Sequence, residues 1–151
     1  MISIIRQILR VILHKYFVAV NLCRFARILS SRAISHDSSK LSKFEIVGFA
    51  NADELSNKIY GTKEYYDMIN NLYVVDEHYR RNSHHPQHYD DGIYGFDLID
   101  LIEMYCDWCA ATKNTKDGYI FDSIAINQKR FWLSKDLIAI LRNTAKRYKI
   151  N

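Results

Sequence analysis

Proline and glycine are scarce in this sequence: one proline and five glycines occur in 151 residues. These two residue types break helices and build turns, so their scarcity argues against a β-sandwich, which needs a turn after every short strand. Long helices are easier to build from such a chain. Hydrophobic residues make up 48% and charged residues 25%, as in globular proteins, and the length suits one domain with a buried core.

Cysteine is scarce as well, and the three that occur, Cys23, Cys106 and Cys109, do not make a disulfide framework. Cys106 and Cys109 form a C-x-x-C, but no second pair completes a zinc site. The pair lies in an apolar helical run, so we expect buried thiols, since free cysteine usually behaves as a small hydrophobic residue. Free thiols are typical of a reducing compartment, which favours the cytoplasm, or the host cytoplasm for a viral protein.

No segment has the roughly 20 consecutive apolar residues that a membrane span requires, so we expect none. The first 35 residues nevertheless stand out, because they carry six basic residues and no acidic one. This composition predicts an amphipathic first helix of the domain, and the alternative is an organellar transit peptide. The net charge of +4 suits a small anionic ligand and gives no reason to expect a stable nucleic-acid complex.

Apolar residues at helical spacing begin close to Ser3 and continue to Ser30, which predicts a long first helix. Further helix starts are indicated by typical capping residues or by the onset of the same periodicity: Ser38, Thr62, Asp97, Asp117 and Ser134. Pro86 would end the third helix, and Asn51–Gly61 is predicted to be a loop. The pattern predicts an all-α fold of five to seven helices, with residues 1–151 forming one domain.

Five of the six histidines lie on, or at an end of, these predicted helices: His14, His36, His78, His84 and His85. On the third helix, His78, Asn82 and His85 follow one another at the i, i+4 and i+7 spacing. They would therefore share one helical face.

The fourth predicted helix carries an acidic stripe, Asp100, Glu103 and Asp107, at the i, i+3 and i+7 spacing. A buried carboxylate is costly without a cation or a hydrogen-bond donor. We expect Asp100 to lie at a solvent-exposed rim. Asp107 is flanked by Cys106 and Trp108, so we expect it to be buried beside a partner, and we expect Trp108 to belong to the core.

The chain resembles the HD superfamily of metal-dependent phosphohydrolases in the order of its candidate residues: His14, His36-Asp37-x-x-Lys40, His78, His84-His85 and Asp107. Its segments HDSSK, HYRRNSHHP and EMYCDW are together similar to an uncharacterised family of small HD-like proteins of phages and bacteria. The resemblance covers His14 to about Ala111. It implies an all-helical domain that binds one or two divalent metal ions.

For a first metal ion, the resemblance implies His36, Asp37 and Asp107 as ligands, with His14 as the fourth. Imidazole and carboxylate ligands together suit manganese, iron, nickel, zinc and cobalt, and they do not choose among these. A divalent ion in such a site activates a water molecule and stabilises charge on a phosphoryl oxygen.

For a second ion, the resemblance implies Asp37 as a bridging ligand together with His78 and either His85 or His84. The shared face of the third helix favours His85. His84 would then face the substrate.

The implied activity is hydrolysis of a small phosphate ester, with a nucleotide as the favoured substrate class. Asp37 and Lys40 are the predicted catalytic residues, because the ammonium group of Lys40 can bind a phosphate oxygen as a point charge. The predicted substrate-binding residues are Lys40, Arg81, Asn82 and His84. Alternatively, Arg81 and the neighbouring Arg80 belong to a solvated helix face.

Two other functions fit the same residues. HD-like oxygenases hold two irons in this ligand set and use dioxygen to cleave carbon bonds, and tightly bound iron with oxygen consumption would identify one. A non-catalytic protein that binds or sequesters a nucleotide, such as a viral factor, would keep the helical fold and bind without turnover. The sequence leaves the oligomeric state open.

Overall fold

The computed structural model describes residues 2–50, 62–64, 72–114 and 118–150, and within these ranges the only regular structure is helical. Six α-helices have described bounds: α1 (Ile2–Ser35), α2 (Lys43–Ala50), α3 (Tyr73–Arg81), α4 (Leu98–Lys113), α5 (Ile120–Phe131) and α6 (Lys135–Tyr148). Short 3-10 turns occupy Ser38–Leu41, Pro86–His88 and Gly92–Gly95. The predicted all-α fold of five to seven helices is confirmed for this part of the chain.

The chain divides into two compact units, residues 1–35 and 36–151, and α1 makes up the first of them. Almost every described side chain of α1 is exposed, including apolar ones such as Ile8, Ile12 and Phe17. Among the described helices, none is both long and apolar enough to cross a membrane. A single domain over residues 1–151 stays a prediction.

The main core of the second unit lies between α4, α5 and α6. It consists of nine buried side chains: Met104, Tyr105, Trp108, Ile120, Ile124, Leu133, Ile138, Leu141 and Ala145. Burial of one large apolar side chain stabilises the folded state by about 1.5–3 kcal/mol, so this cluster holds the three helices together. Trp108 belongs to the core, as predicted.

The expectation of buried thiols is wrong for Cys106, which is exposed, while Cys109 is half-buried. The core-facing side of α4 carries Met104, Tyr105 and Trp108. Because successive helical residues are turned by about 100°, Cys106 falls on the opposite side of the helix from Met104. The apolar run around the C-x-x-C is therefore wider than the face that packs against the core.

Two of the predicted helix caps are confirmed. The Asp97 side chain accepts hydrogen bonds from the backbone N–H groups of Ile99 (2.7 Å) and Asp100 (2.9 Å), which fixes the start of α4. The Ser134 hydroxyl accepts from the N–H of Leu137 at 3.2 Å and fixes the start of α6. For α5 the N-cap residue is Tyr119. The predicted cap Asp117 and the predicted loop Asn51–Gly61 lie outside the described residues.

The third predicted helix ends earlier than expected. We predicted that it continues to Pro86, but α3 ends at Arg81 and Asn82 has an extended backbone (φ −123, ψ 104). The Asn82 side-chain amide donates to the carbonyl of His78 at 2.8 Å, a bond that competes with continuation of the helix. His85 therefore lies in the loop after α3, and the single helical face predicted for His78, Asn82 and His85 is wrong.

A smaller apolar cluster joins α2 to α3, with Val74 and Val75 buried and Phe49 packed against them. Gly48 permits this close approach of the two helices. A Cβ atom at that position would lie 2.6 Å from Cγ2 of Val74 and 2.7 Å from its Cβ.

We expect Gly48→Ala to destabilise the protein by about 1 kcal/mol. Alanine gains up to about 1 kcal/mol in helix propensity, but overpacking against the stiff Val74 side chain costs about 1–3 kcal/mol. Urea denaturation measures the difference. Val74→Ala removes both obstructing methyl groups and leaves the contact with Val74 Cβ, so it should lower the free energy of unfolding less in the Gly48→Ala protein than in the wild type. Equal costs in both backgrounds would contradict the close contact.

Candidate metal centre

The candidate metal centre is built from four segments of the second unit. His36 and Asp37 precede the 3-10 turn Ser38–Leu41, His78 lies on α3, and His84 and His85 lie in the loop that follows α3. Asp107 is contributed by α4. Three groupings of potential ligand atoms within 4.8 Å of one another occur among the described residues, and all of them lie in this region.

Asp37 adopts a left-handed backbone conformation (φ 52, ψ 19), which is uncommon for a residue other than glycine. Aspartate is among the side chains that tolerate this region best. Such strain occurs preferentially at functional sites. It sets the direction in which the carboxylate of Asp37 leaves the chain.

One oxygen of Asp37 faces two imidazole rings. Oδ1 lies 3.4 Å from His78 Nε2 and 3.5 Å from His84 Nε2. Both Asp37 Oδ1 and His84 Nε2 are buried, and neither has a hydrogen-bond partner within the described part of the chain. Leaving a buried polar atom unpaired costs about 1–3 kcal/mol, so this pair of atoms fits a site that accepts a cation.

His85 completes this part of the centre, since its Nε2 atom lies 3.0 Å from His78 Nε2. We call Asp37 Oδ1 with the rings of His78, His84 and His85 the three-histidine half. Bonds of about 2.1 Å to a transition metal place neighbouring ligand atoms about 3.0–3.4 Å apart. The separations of 3.0 and 3.4 Å fall within this range, and that of 3.5 Å lies just above it.

The other oxygen of Asp37 belongs to a second grouping, which we call the His36–Asp107 half. His36 Nε2 lies 3.6 Å from Asp37 Oδ2 and 3.8 Å from Asp107 Oδ1. The expectation that Asp107 is buried is wrong, since its side chain is 30% exposed, and this half is therefore more open than the three-histidine half. Partial burial raises the pKa of Asp107, and the negative charge of Asp37 adds to that effect.

Lys40 contacts the same oxygen of Asp37. Its ammonium group donates a hydrogen bond of 2.6 Å to Oδ2, and its side chain is 47% exposed. Burial alone would raise the pKa of Asp37, but the hydrogen bond and the charge of Lys40 outweigh burial and lower this pKa. Asp37 is therefore a carboxylate at neutral pH.

Glu103 orients two of the histidines. Its Oε1 atom accepts a hydrogen bond from His36 Nδ1 at 2.8 Å and lies 3.2 Å from His84 Nδ1. A proton on Nδ1 leaves a lone pair on Nε2, and Nε2 is the atom of each ring that faces Asp37. Carboxylates in this outer position fix the ring orientation of metal-binding histidines.

Glu45 plays the same part for His78. Its side chain is fully buried, and its Oε2 atom accepts from His78 Nδ1 at 2.8 Å and from the Ser39 hydroxyl at 3.1 Å. The Asn82 amide donates to Ser39 Oγ at 2.8 Å. This network ties the turn that carries Lys40 to the end of α3.

Burial keeps two of the imidazoles neutral. It lowers the pKa of His84 to about 4, although the negative charges of Asp37 and Glu103 oppose the change. Burial, together with the neighbouring rings of His84 and His78, lowers the pKa of His85 to about 2. Both rings are uncharged at neutral pH, which is the protonation state that binds metal ions.

The expectation that Asp100 lies at a solvent-exposed rim is wrong, since its side chain is buried at 3% exposure. It accepts hydrogen bonds of 2.7 Å from the hydroxyl groups of Ser83 and Tyr89. These two residues begin and end the segment 83–89, which contains His84 and His85. Asp100 therefore fixes both ends of the loop that supplies two of the candidate ligands.

The remaining predicted site residues have other positions. Arg81 is exposed and donates to Glu77 Oε1 at 2.6 Å, and Arg80 binds both oxygens of the same carboxylate. Asn82 is engaged with Ser39 and with the backbone of α3, as described above. His14 lies on the exposed helix α1 of the first unit and belongs to none of the three groupings found among the described residues.

Glu45 and Glu103 were not among the predicted site residues. Glu103 gave a signal in the sequence, because it stands in the acidic stripe of α4 between two other residues of the centre. Glu45 gave only a weak one, as the single acidic residue of a short apolar helix.

The chain belongs to the DUF5662 family, a family of unknown function whose model matches residues 4–147. No curated protein and no solved structure matches the chain.

We expect Asp100→Ala to loosen residues 83–89. Two half-buried hydroxyl groups lose a carboxylate acceptor, and a hydrogen bond to a charged group contributes about 1.5–3 kcal/mol. Amide hydrogen exchange in residues 83–89 should rise more than elsewhere in the second unit. Asp90→Ala, a change of an exposed residue beside the same loop, is the matched control and should leave exchange unchanged. Equal protection of the loop in both variants would argue against this role of Asp100.

Proposed function

We propose that this DUF5662 protein is a metal-dependent phosphohydrolase of the HD type that acts on a small phosphate ester. A nucleotide is the proposed substrate class, following the resemblance of the sequence. One observation carries the proposal: Asp37 Oδ1 and His84 Nε2 are buried and 3.5 Å apart, and neither has a hydrogen-bond partner among the residues that the structure describes.

The protonation of the rings strengthens this argument. With the protons of His78 and His84 on the Nδ1 atoms that face Glu45 and Glu103, the Nε2 lone pairs point toward a carboxylate oxygen. Lone pairs that converge on a buried anion repel one another unless a cation lies between them. The donor set of the three-histidine half therefore fits a divalent metal ion.

We assign one ion to Asp37, His78, His84 and His85, and a second ion to Asp37, His36 and Asp107. The assignment makes His84 a ligand rather than a substrate-binding residue. His14 has no part in it. Nitrogen-rich ligands with carboxylates suit manganese, iron, nickel, zinc or cobalt.

The substrate would reach the centre from the side of Lys40 and Asp107. Their side chains are 47% and 30% exposed, whereas those of His78 and His84 are 4% and 2% exposed. A divalent ion in the centre would supply an activated water molecule for attack on phosphorus. Lys40 would bind a non-bridging phosphate oxygen and hold the ester against the open His36–Asp107 half.

An HD-type oxygenase is the second candidate. The three-histidine half favours it as much as hydrolysis, because imidazole ligands suit iron as well as the other metals. A non-catalytic nucleotide-binding protein would not need this convergence of unpaired ligand atoms.

The first test compares the wild type with Asp37→Ala by elemental analysis and by phosphate release from a panel of nucleoside monophosphates. We expect about one to two equivalents of transition metal in the wild type and a loss of metal and of turnover in the variant, since Asp37 serves both halves. Asp90→Ala, an exposed aspartate, should behave like the wild type.

The outcomes separate the candidate functions. Predominant iron with oxygen consumption and no phosphate release would favour the oxygenase. Failure to hold metal after incubation with manganese, iron, nickel and zinc would end the catalytic proposal and leave a binding protein.

Glu103→Ala tests the orienting carboxylate. We expect the metal affinity to fall about 10- to 100-fold, because His36 and His84 lose the group that fixes their rings. Competition with a chromophoric chelator measures the affinity, and circular dichroism checks that the helices are retained. The control is Glu64→Ala, which removes an exposed glutamate. If both variants bind metal as the wild type does, Glu103 has no orienting role.

A further inference from the structure

A positively charged group already contacts one of the two ion positions assigned above. Lys40 Nζ lies 2.6 Å from Asp37 Oδ2, the oxygen that belongs to the His36–Asp107 half. The contact is local, because residues three apart lie on the same side of a 3-10 turn. The other oxygen, Oδ1, faces His78 and His84 instead.

We propose that Lys40 takes the place of the second metal ion and that this ion enters the His36–Asp107 half only when the Lys40 ammonium group moves away from Asp37. The inference rests on the metal-binding function proposed above and deepens it. It makes the two halves unequal and gives the centre a loading order.

The order follows from which oxygen each cation uses. An ion in the three-histidine half binds Oδ1 and leaves the Lys40–Asp37 bond intact. An ion in the other half needs Oδ2, and a divalent cation beside an ammonium group on one oxygen is strongly repelled. The three-histidine half therefore fills first.

The Lys40 side chain can move away from Asp37 when a metal ion displaces it. Its side chain is 47% exposed, and its four-carbon stem is flexible. A phosphate group bound at the open half offers the ammonium group a new anionic partner. Binding of the second ion and binding of phosphate should therefore favour each other, since such coupling is reciprocal.

The test is a Mn²⁺ titration of the full chain, with free Mn²⁺ followed by electron paramagnetic resonance. The wild type should bind one ion tightly and a second one much more weakly. In Lys40→Met the second ion should bind about tenfold more tightly, because its competitor is gone. Lys43→Met is the matched control: Lys43 is exposed, lies three residues further along the chain and should give the wild-type curve. Lys40→Gln repeats the test with a polar side chain.

Inorganic phosphate is the second probe. Phosphate should raise the affinity for the second ion about fivefold in the wild type and by a smaller factor in Lys40→Met. Two ions of equal affinity in the wild type, or a second ion no tighter in Lys40→Met than in Lys43→Met, would overturn the inference while leaving the metal centre in place. Failure of every protein to bind Mn²⁺, or any other ion of the elemental analysis, would instead overturn the proposed function and this inference with it.

Discussion

The negative charge of Asp37 is the constraint on which this centre depends. A carboxylate placed among imidazole rings has to be balanced, and here Lys40 donates a hydrogen bond to one of its two oxygens. The other oxygen faces the Nε2 atoms of His78 and His84. These atoms carry no proton when the proton of each ring is on Nδ1 and is donated to Glu45 or Glu103. Together with the left-handed backbone of Asp37, this arrangement lowers the free energy of unfolding. The apolar packing of α4, α5 and α6 supplies the stability that offsets it.

The surrounding acidic residues solve a different problem, the orientation of the rings. Glu45 bonds His78 from 33 residues away, and Glu103 bonds His36 from 67 residues away. Asp100 binds Ser83 and Tyr89, the two ends of the segment that contains His84 and His85. The acidic stripe of α4 thus forms one wall of the centre. Asp107 is a candidate ligand, Glu103 orients the rings and Asp100 fixes the loop.

The sequence was informative wherever the structure depends on local interactions. The caps Asp97 and Ser134 and the long first helix follow from near neighbours, and so they could be predicted. The end of α3 could not, because a side-chain bond from Asn82 to the helix backbone outweighs a continuing apolar pattern. The burial of Asp100 and the roles of Glu45 and Glu103 depend on contacts between distant segments, which residue spacing does not contain. The nearness of His36 and Asp37 to the other histidines was expected from the resemblance to the HD superfamily. The position of His84 Nε2, 3.5 Å from Asp37 Oδ1, could be found only from atomic distances.

The two hydrogen bonds of Asp100 also bear on how this protein can vary. They close the segment from Ser83 to Tyr89 onto a single carboxylate, so its ends are fixed to the same point of α4. A segment tied in this way has a set number of residues. An insertion or deletion within it would turn both imidazole rings away from Asp37, whereas length changes in a loop without such ties would be absorbed at the surface. Among homologous chains, the spacing of this segment should therefore be invariant even where the residues around it differ.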